Sequence, residues 1–109
     1  MLTYEVNLSI NNDVFPDFYE WLLPHTEEVL SHKGFKKAEI GIIENQEDDN
    51  KNHLRLNFTI DSTENLQDYL TNHAPRLRTE VDNKFDNKIT ATRRIIVEKI
   101  AIDAKDKVS

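Results

Sequence analysis

The sequence has no cysteine. Disulfides, zinc–thiolate sites, iron–sulfur clusters and thiol catalysis are excluded with it, and the composition fits a reducing cytoplasm. Glycine and proline are scarce, at two and three residues, so the chain is neither collagen-like nor low in complexity. It also has no glycine-rich phosphate loop and no serine-centred nucleophile elbow. No apolar run approaches the roughly 18 residues of a membrane span. Residues 1–10 carry neither a basic lead-in nor an apolar run, so a signal peptide is not expected. Positive charge is the minority: 14 Lys and Arg stand against 20 Asp and Glu, a net charge of −6 that argues against a nucleic-acid partner. The imbalance is uneven, with a balance of −9 over residues 1–74 and +3 over residues 75–109. Such asymmetry suits either complementary faces within a fold or dimer, or a local cationic site for a small anion.

What remains suffices for one domain. At 109 residues and 38% hydrophobic content the chain can build a single core, assigned to residues 1–102 with a flexible tail at 103–109. Leu2, Tyr4, Val6, Leu8 and Ile10 alternate with Thr3, Glu5, Asn7 and Ser9, the period of a half-buried strand. Asn11-Asn12-Asp13 offers turn and N-cap chemistry, and Pro16 suits a first helical turn. Phe15, Phe18, Leu22 and Val29 then form a helical stripe between Val14 and His32, in which Pro24 should kink or divide the helix. Gly34 suits a left-handed stop.

Strand character returns over Phe35–Glu44, and after a polar connection at 45–52 it resumes over His53–Ile60 with Leu54, Leu56, Phe58 and Ile60 on one side. Asp61 and Glu64 resemble a capping box ahead of a second helix. Its stripe runs Leu66, Leu70, His73, Leu77, Val81 and Phe85, with a break expected near His73-Ala74 because Pro75 follows. Asp86-Asn87 closes it, and Ile89–Ile102 reads as a long last strand.

The order is β-α-β-β-α-β, an α+β chain of ferredoxin-like type: a four-stranded antiparallel sheet with both helices on one face. The other face must meet water, a partner or a ligand. If the first and third strands are central neighbours, Glu5 and Asn7 lie beside Arg55 and Asn57 there, with a Glu5–Arg55 ion pair and one of Arg93 and Arg94 joining them. These six residues are the expected ligand-binding set.

Catalytic chemistry is sparse. The histidines at 25, 32, 53 and 73 show no spacing that puts two ligands on one helical face, and the cluster of Glu44, Glu47, Asp48 and Asp49 lacks the glycine and closing glutamate of a calcium loop. No metal and no cofactor is expected. His73 is the catalytic candidate, on an apolar stripe beside Arg76 and Arg78, with Tyr69 one turn before it. The opposing reading is a half-buried histidine bonded to the interrupted backbone near Pro75. The leading expectation is a non-enzymatic homodimer binding a small polar or anionic ligand or a protein partner. The alternative is a small cofactor-independent oxygenase using His73, Tyr69 and Arg76 in an apolar pocket between helices and sheet.

Three segments carry a resemblance: Tyr4-Glu5-Val6-Asn7-Leu8, Phe18-Tyr19-Glu20-Trp21-Leu22, and Asp68-Tyr69-Leu70-Thr71-Asn72-His73-Ala74-Pro75-Arg76-Leu77-Arg78. With Phe85 and Thr90-Ala91-Thr92-Arg93-Arg94, they resemble a family of short bacterial proteins defined as a domain of unknown function, over roughly residues 1–97. Pro24 and the lack of a glycine near Glu80-Val81 depart from its pattern. The resemblance implies a ferredoxin-like domain similar to the dimeric α+β barrels. That superfamily spans cofactor-independent monooxygenases, haem-degrading enzymes and non-enzymatic ligand-binding or stress proteins.

Overall fold

The structure is a computed structural model that describes residues 1–44 and 50–105. Its elements are β1 (Leu2–Asn11), α1 (Phe15–Leu30), β2 (Phe35–Ile42), β3 (Lys51–Ile60), α2 (Thr63–Asn72), α3 (Ala74–Lys84) and β4 (Ile89–Ile96). The four strands form one antiparallel sheet in the order β2-β3-β1-β4, so β1 and β3 are the central neighbours. Strand alternation decides which face is covered. Tyr4, Val6, Leu8 and Ile10 on β1 and Leu54, Leu56, Phe58 and Ile60 on β3 are buried against the helices. They join Phe18, Leu22 and Val29 of α1, Leu66 and Tyr69 of α2, and Leu77 of α3 in one cluster. The helices therefore pack on one face and leave the other open.

Helix boundaries differ from expectation in instructive ways. The Asn11-Asn12-Asp13 run does not cap α1 with a side chain: the N-cap is Val14, and Asp13 instead accepts a 2.6 Å bond from Lys88 Nζ. Pro24 lies inside α1 without dividing it, since Phe18, Leu22, Thr26 and Val29 on the buried face hold both halves against the sheet. Ser62 caps α2, its hydroxyl accepting from the Asn65 N–H at 3.2 Å, while the Asp61 carboxylate takes the Asn65 side-chain amide at 2.8 Å. The capping-box reading thus missed the cap by one residue.

Gly34 is left-handed, at φ +86°. A Cβ there would fall 2.5 Å from both Asp61 Oδ1 and Asn65 Nδ2, so the turn into β2 requires glycine. The break at His73 is as expected. Ala74 precedes Pro75, a position that disfavours helix, and His73 (φ −124°) ends α2 and opens α3. Asp86 and Asn87, both at positive φ, stop the chain after α3; short polar side chains tolerate that conformation best.

Three strand boundaries need correction. β2 ends at Ile42, before Glu44, and β3 begins at Lys51, two residues before His53. β4 ends at Ile96, not Ile102: its last pair is with Thr3, one residue from the start of β1, so that strand has no length left to pair with residues 98–102. Val97, Ile100 and Ile102 beyond it belong to no element and are exposed. Residues 106–109 of the expected tail, and Glu47, Asp48 and Asp49 of the acidic cluster, lie outside the described residues.

Candidate functional site

The open face carries a polar row that register now fixes. Glu5 sits between Asn57 on β3 and Arg94 on β4. Its carboxylate takes a 2.6 Å bond from Arg94 Nε and a 2.9 Å bond from Asn7 Nδ2. The expected Glu5–Arg55 pair is replaced by Glu5–Arg94, because Arg55 lies opposite Asn7. Glu5 is 3% exposed, and these two donors hold its carboxyl below the ordinary glutamate value although burial works against them. Beside it, Asn57 Oδ1 is buried and has no partner among the described residues. Further along the same face, Ser9 Oγ lies 3.0 Å from His53 Nδ1.

The two arginines of β4 separate by parity. Arg94 joins the open face, whereas Arg93 pairs with Val6 in register and so lies on the helix side. Of the six expected ligand-binding residues, Glu5, Asn7, Arg55, Asn57 and Arg94 share the open face, and Arg93 does not.

The helix side holds a cavity of about 270 Å³ between α1, α3 and the sheet. Phe18, Leu22, His25 and Thr26 of α1 form one wall. Leu77, Arg78, Val81 and Asp82 of α3 form another, and Tyr4, Val6, Leu56, Phe58 and Ala91 form the floor. Most of this lining is apolar; the polar groups are few. Arg78 Nη2 donates to Tyr4 Oη at 3.4 Å. Tyr69 also lines the cavity, and burial, reinforced by Tyr4, pushes its phenol up to about 12 although Arg78 and Arg93 pull the other way. His25 stacks on Trp21 with ring centroids 4.3 Å apart, and loss of solvent lowers its pKa from the ordinary value.

Of the three catalytic candidates, only Tyr69 reaches this cavity. His73 instead packs beside His32, centroids 4.4 Å apart, with Nε2 3.8 Å from Asp68 Oδ2. Arg76 pairs with Glu80 at 2.9 Å on the exposed side of α3. Tyr69 and His73 are neighbours, ring centroids 6.4 Å apart, but Arg76 turns to Glu80 and the three do not converge. No ring bond from His73 to the backbone near Pro75 is formed either; its nearest charged company is Asp68. Reasoning from sequence missed His25, Thr26, Arg78 and Arg93 as cavity residues. Helical spacing from Leu22 reaches His25 and Thr26, and strand parity from Ile89 reaches Arg93, so the signals were present. No group of three or more potential metal-binding side chains converges among the described residues.

The sequence profile of a family described as Domain of unknown function (DUF4286) matches residues 1–99. The chain belongs to that family. No curated protein matches this DUF4286 chain. Among solved structures, it is similar to a Deinococcus radiodurans protein described as a proposed antibiotic biosynthesis monooxygenase. That match has 10% identity and a TM-score of 0.70, and covers 97% of this chain and 100% of the other. Two dimeric ferredoxin-like proteins from uncultured marine organisms also match. One has 12% identity and a TM-score of 0.61 over 91% of this chain and 97% of its own. The other has 17% identity and a TM-score of 0.62 over 94% and 100%. At these identities the likeness establishes the fold: a ferredoxin-like α+β domain. Among the described residues, no helix is long and apolar enough to cross a membrane.

Proposed function

We propose that this DUF4286 domain is a small-molecule binding protein whose ligand is a compact, mainly apolar acid held in the cavity between helices and sheet. The observation that carries the reading is the pairing of an apolar lining with two arginines, Arg78 and Arg93, against one carboxylate, Asp82, a net positive edge. Both arginines are exposed, so an anion is met at the rim and the apolar body enters behind it. At about 270 Å³ the space suits a one- or two-ring ligand, because an apolar cavity of roughly 150 Å³ already accepts benzene. Calorimetric titration with 2-naphthoate tests it. Saturable binding that weakens about tenfold in Arg78→Ala and Arg93→Ala is expected. Absence of binding, or binding indifferent to both arginines, refutes it.

The partner in this reading is a second copy of the chain. Its support is the polar open face, where Asn57 Oδ1 still needs a donor, and the exposed Val97, Ile100 and Ile102 that follow β4. The marine neighbours are themselves described as dimeric. Glu5, Asn7, Arg55, Asn57 and Arg94 then serve the interface, which would bury on the order of 1,200–2,000 Å². Light scattering at tens of micromolar, a concentration chosen on the order of ordinary dimer affinities, should return twice the chain mass. A monomer there refutes it.

A catalytic reading of the same cavity is favoured by one feature, His25. Burial lowers its pKa, so it is an uncharged base at neutral pH beside the space a substrate would fill. The Deinococcus neighbour's description points the same way. Oxygen uptake with hydroxylated naphthoates, lost in His25→Ala but not in His73→Ala, would support it; no uptake leaves the binding reading alone.

A further inference from the structure

We infer that the cavity's ligand carries a second polar group, a hydroxyl or carbonyl on the part that lies inside, and that Thr26 of α1 is the residue that recognises it. This rests on the binding reading above. Thr26 is 6% exposed and lines the cavity, and its Oγ1 has no hydrogen-bond partner among the described residues. A threonine within a helix ordinarily turns its hydroxyl onto the carbonyl one turn back. Here that bond is not made, and a buried hydroxyl without a partner is a standing cost to the free protein.

Tyr4 and Tyr69 are the other buried side chains with a polar atom in the lining, but among the described residues with a fully buried, unpartnered side-chain atom (Thr26, His32 and Asn57) only Thr26 lines the cavity. Tyr4 Oη already accepts from Arg78, while Arg78, Arg93 and Asp82 are exposed. His25 is half-buried against Trp21. The exposed arginines and the buried Thr26 line one cavity, whose apolar lining includes Leu22, Leu56 and Phe58. The chemistry that satisfies all of it at once is an aromatic or alicyclic acid with its anion at the rim and an oxygen function on the body that enters the cavity. An acid with a wholly apolar body leaves Thr26 unpaired and gives up that part of the affinity.

The test compares 2-naphthoate with 6-hydroxy-2-naphthoate by calorimetry on the intact chain and on Thr26→Val, which keeps the side chain's shape. The wild type should prefer the hydroxylated probe by about tenfold, the value of one neutral hydrogen bond to an otherwise unpaired group. Thr26→Val should lose that preference, the ratio of its two affinities falling from about ten to about one. A second measurement needs no ligand: Thr26→Val should raise the melting temperature of the free protein, because it removes an unsatisfied buried hydroxyl. A lower melting temperature would show that the hydroxyl has a partner and would overturn the inference. Equal affinity of the wild type for the two probes also overturns it and leaves the binding reading intact. If neither probe binds, the binding reading fails and the inference falls with it.

Discussion

Replacing Ala91 with isoleucine separates a cavity from a packed core by the sign of a stability change. Ala91 lies on β4 opposite Leu8, is half-buried, and faces the space between the sheet and the helices. The substitution adds three carbons. At about 0.8 kcal/mol per buried CH₂ the gain is up to about 2.4 kcal/mol. Ordering the longer side chain returns about 0.5–1 kcal/mol. The net expectation is a stabilisation of about 1–2 kcal/mol, helped by the preference of strands for β-branched residues. In a closely packed interior the same insertion costs about 1–3 kcal/mol. Urea denaturation of the free protein resolves the two, with an unchanged slope showing that the difference lies in stability alone. A midpoint lowered by the equivalent of about 1 kcal/mol or more would refute the reasoning. The filled variant should also bind 2-naphthoate at least about tenfold more weakly, one decade being about 1.4 kcal/mol.

Four other perturbations test separate parts of the structure. The Glu5 carboxyl is held below its ordinary value of 4.5 by Arg94 and Asn7, so its contribution is present above that pH and fades as pH falls through the lower folded value. Glu5→Gln should therefore lower the melting temperature at pH 7 and flatten its decline in acid, which thermal unfolding at pH 3 to 7 will check. Tyr69, raised to about 12, keeps its proton in the folded state where an unfolded tyrosine loses it; stability should fall as pH rises above about 10, and ultraviolet titration should show Tyr69 ionising late. Pro24→Ala restores an N–H to the exposed side of α1 and should add about 1–3 kcal/mol in denaturant unfolding. Gly34→Ala places a Cβ 2.5 Å from Asp61 Oδ1 in a left-handed turn and should cost more than about 1 kcal/mol by the same assay.

The strands and their faces were legible because alternation is a local signal: Leu2 to Ile10 and Leu54 to Ile60 name their buried sides without any partner. The break at His73 was equally local, since Pro75 alone sets it. Pairing is not local. Glu5 finds Arg94 rather than Arg55 through a register that three strands settle together, and β4 stops at Ile96 because its neighbour ends. A pocket between helices and sheet could be named, but its lining was illegible for a different reason. Its lining consists of residues that read as ordinary core, Leu22, Leu77 and Ala91 among them, and the gap between them is a property of how α1 and α3 rest on the sheet. His73 looked catalytic because it shares the stripe with Leu70 and Leu77. The helix break turns it towards His32 and Asp68 instead.

The most direct test is where a bound acid sits. With 2-naphthoate at saturation, nuclear Overhauser contacts from the probe's aromatic protons should reach the methyl groups of Val6, Leu22, Leu77 and Ala91, which line the cavity. Contacts confined to Ile43 and Thr92 on the open face, or none at all, would contradict the account.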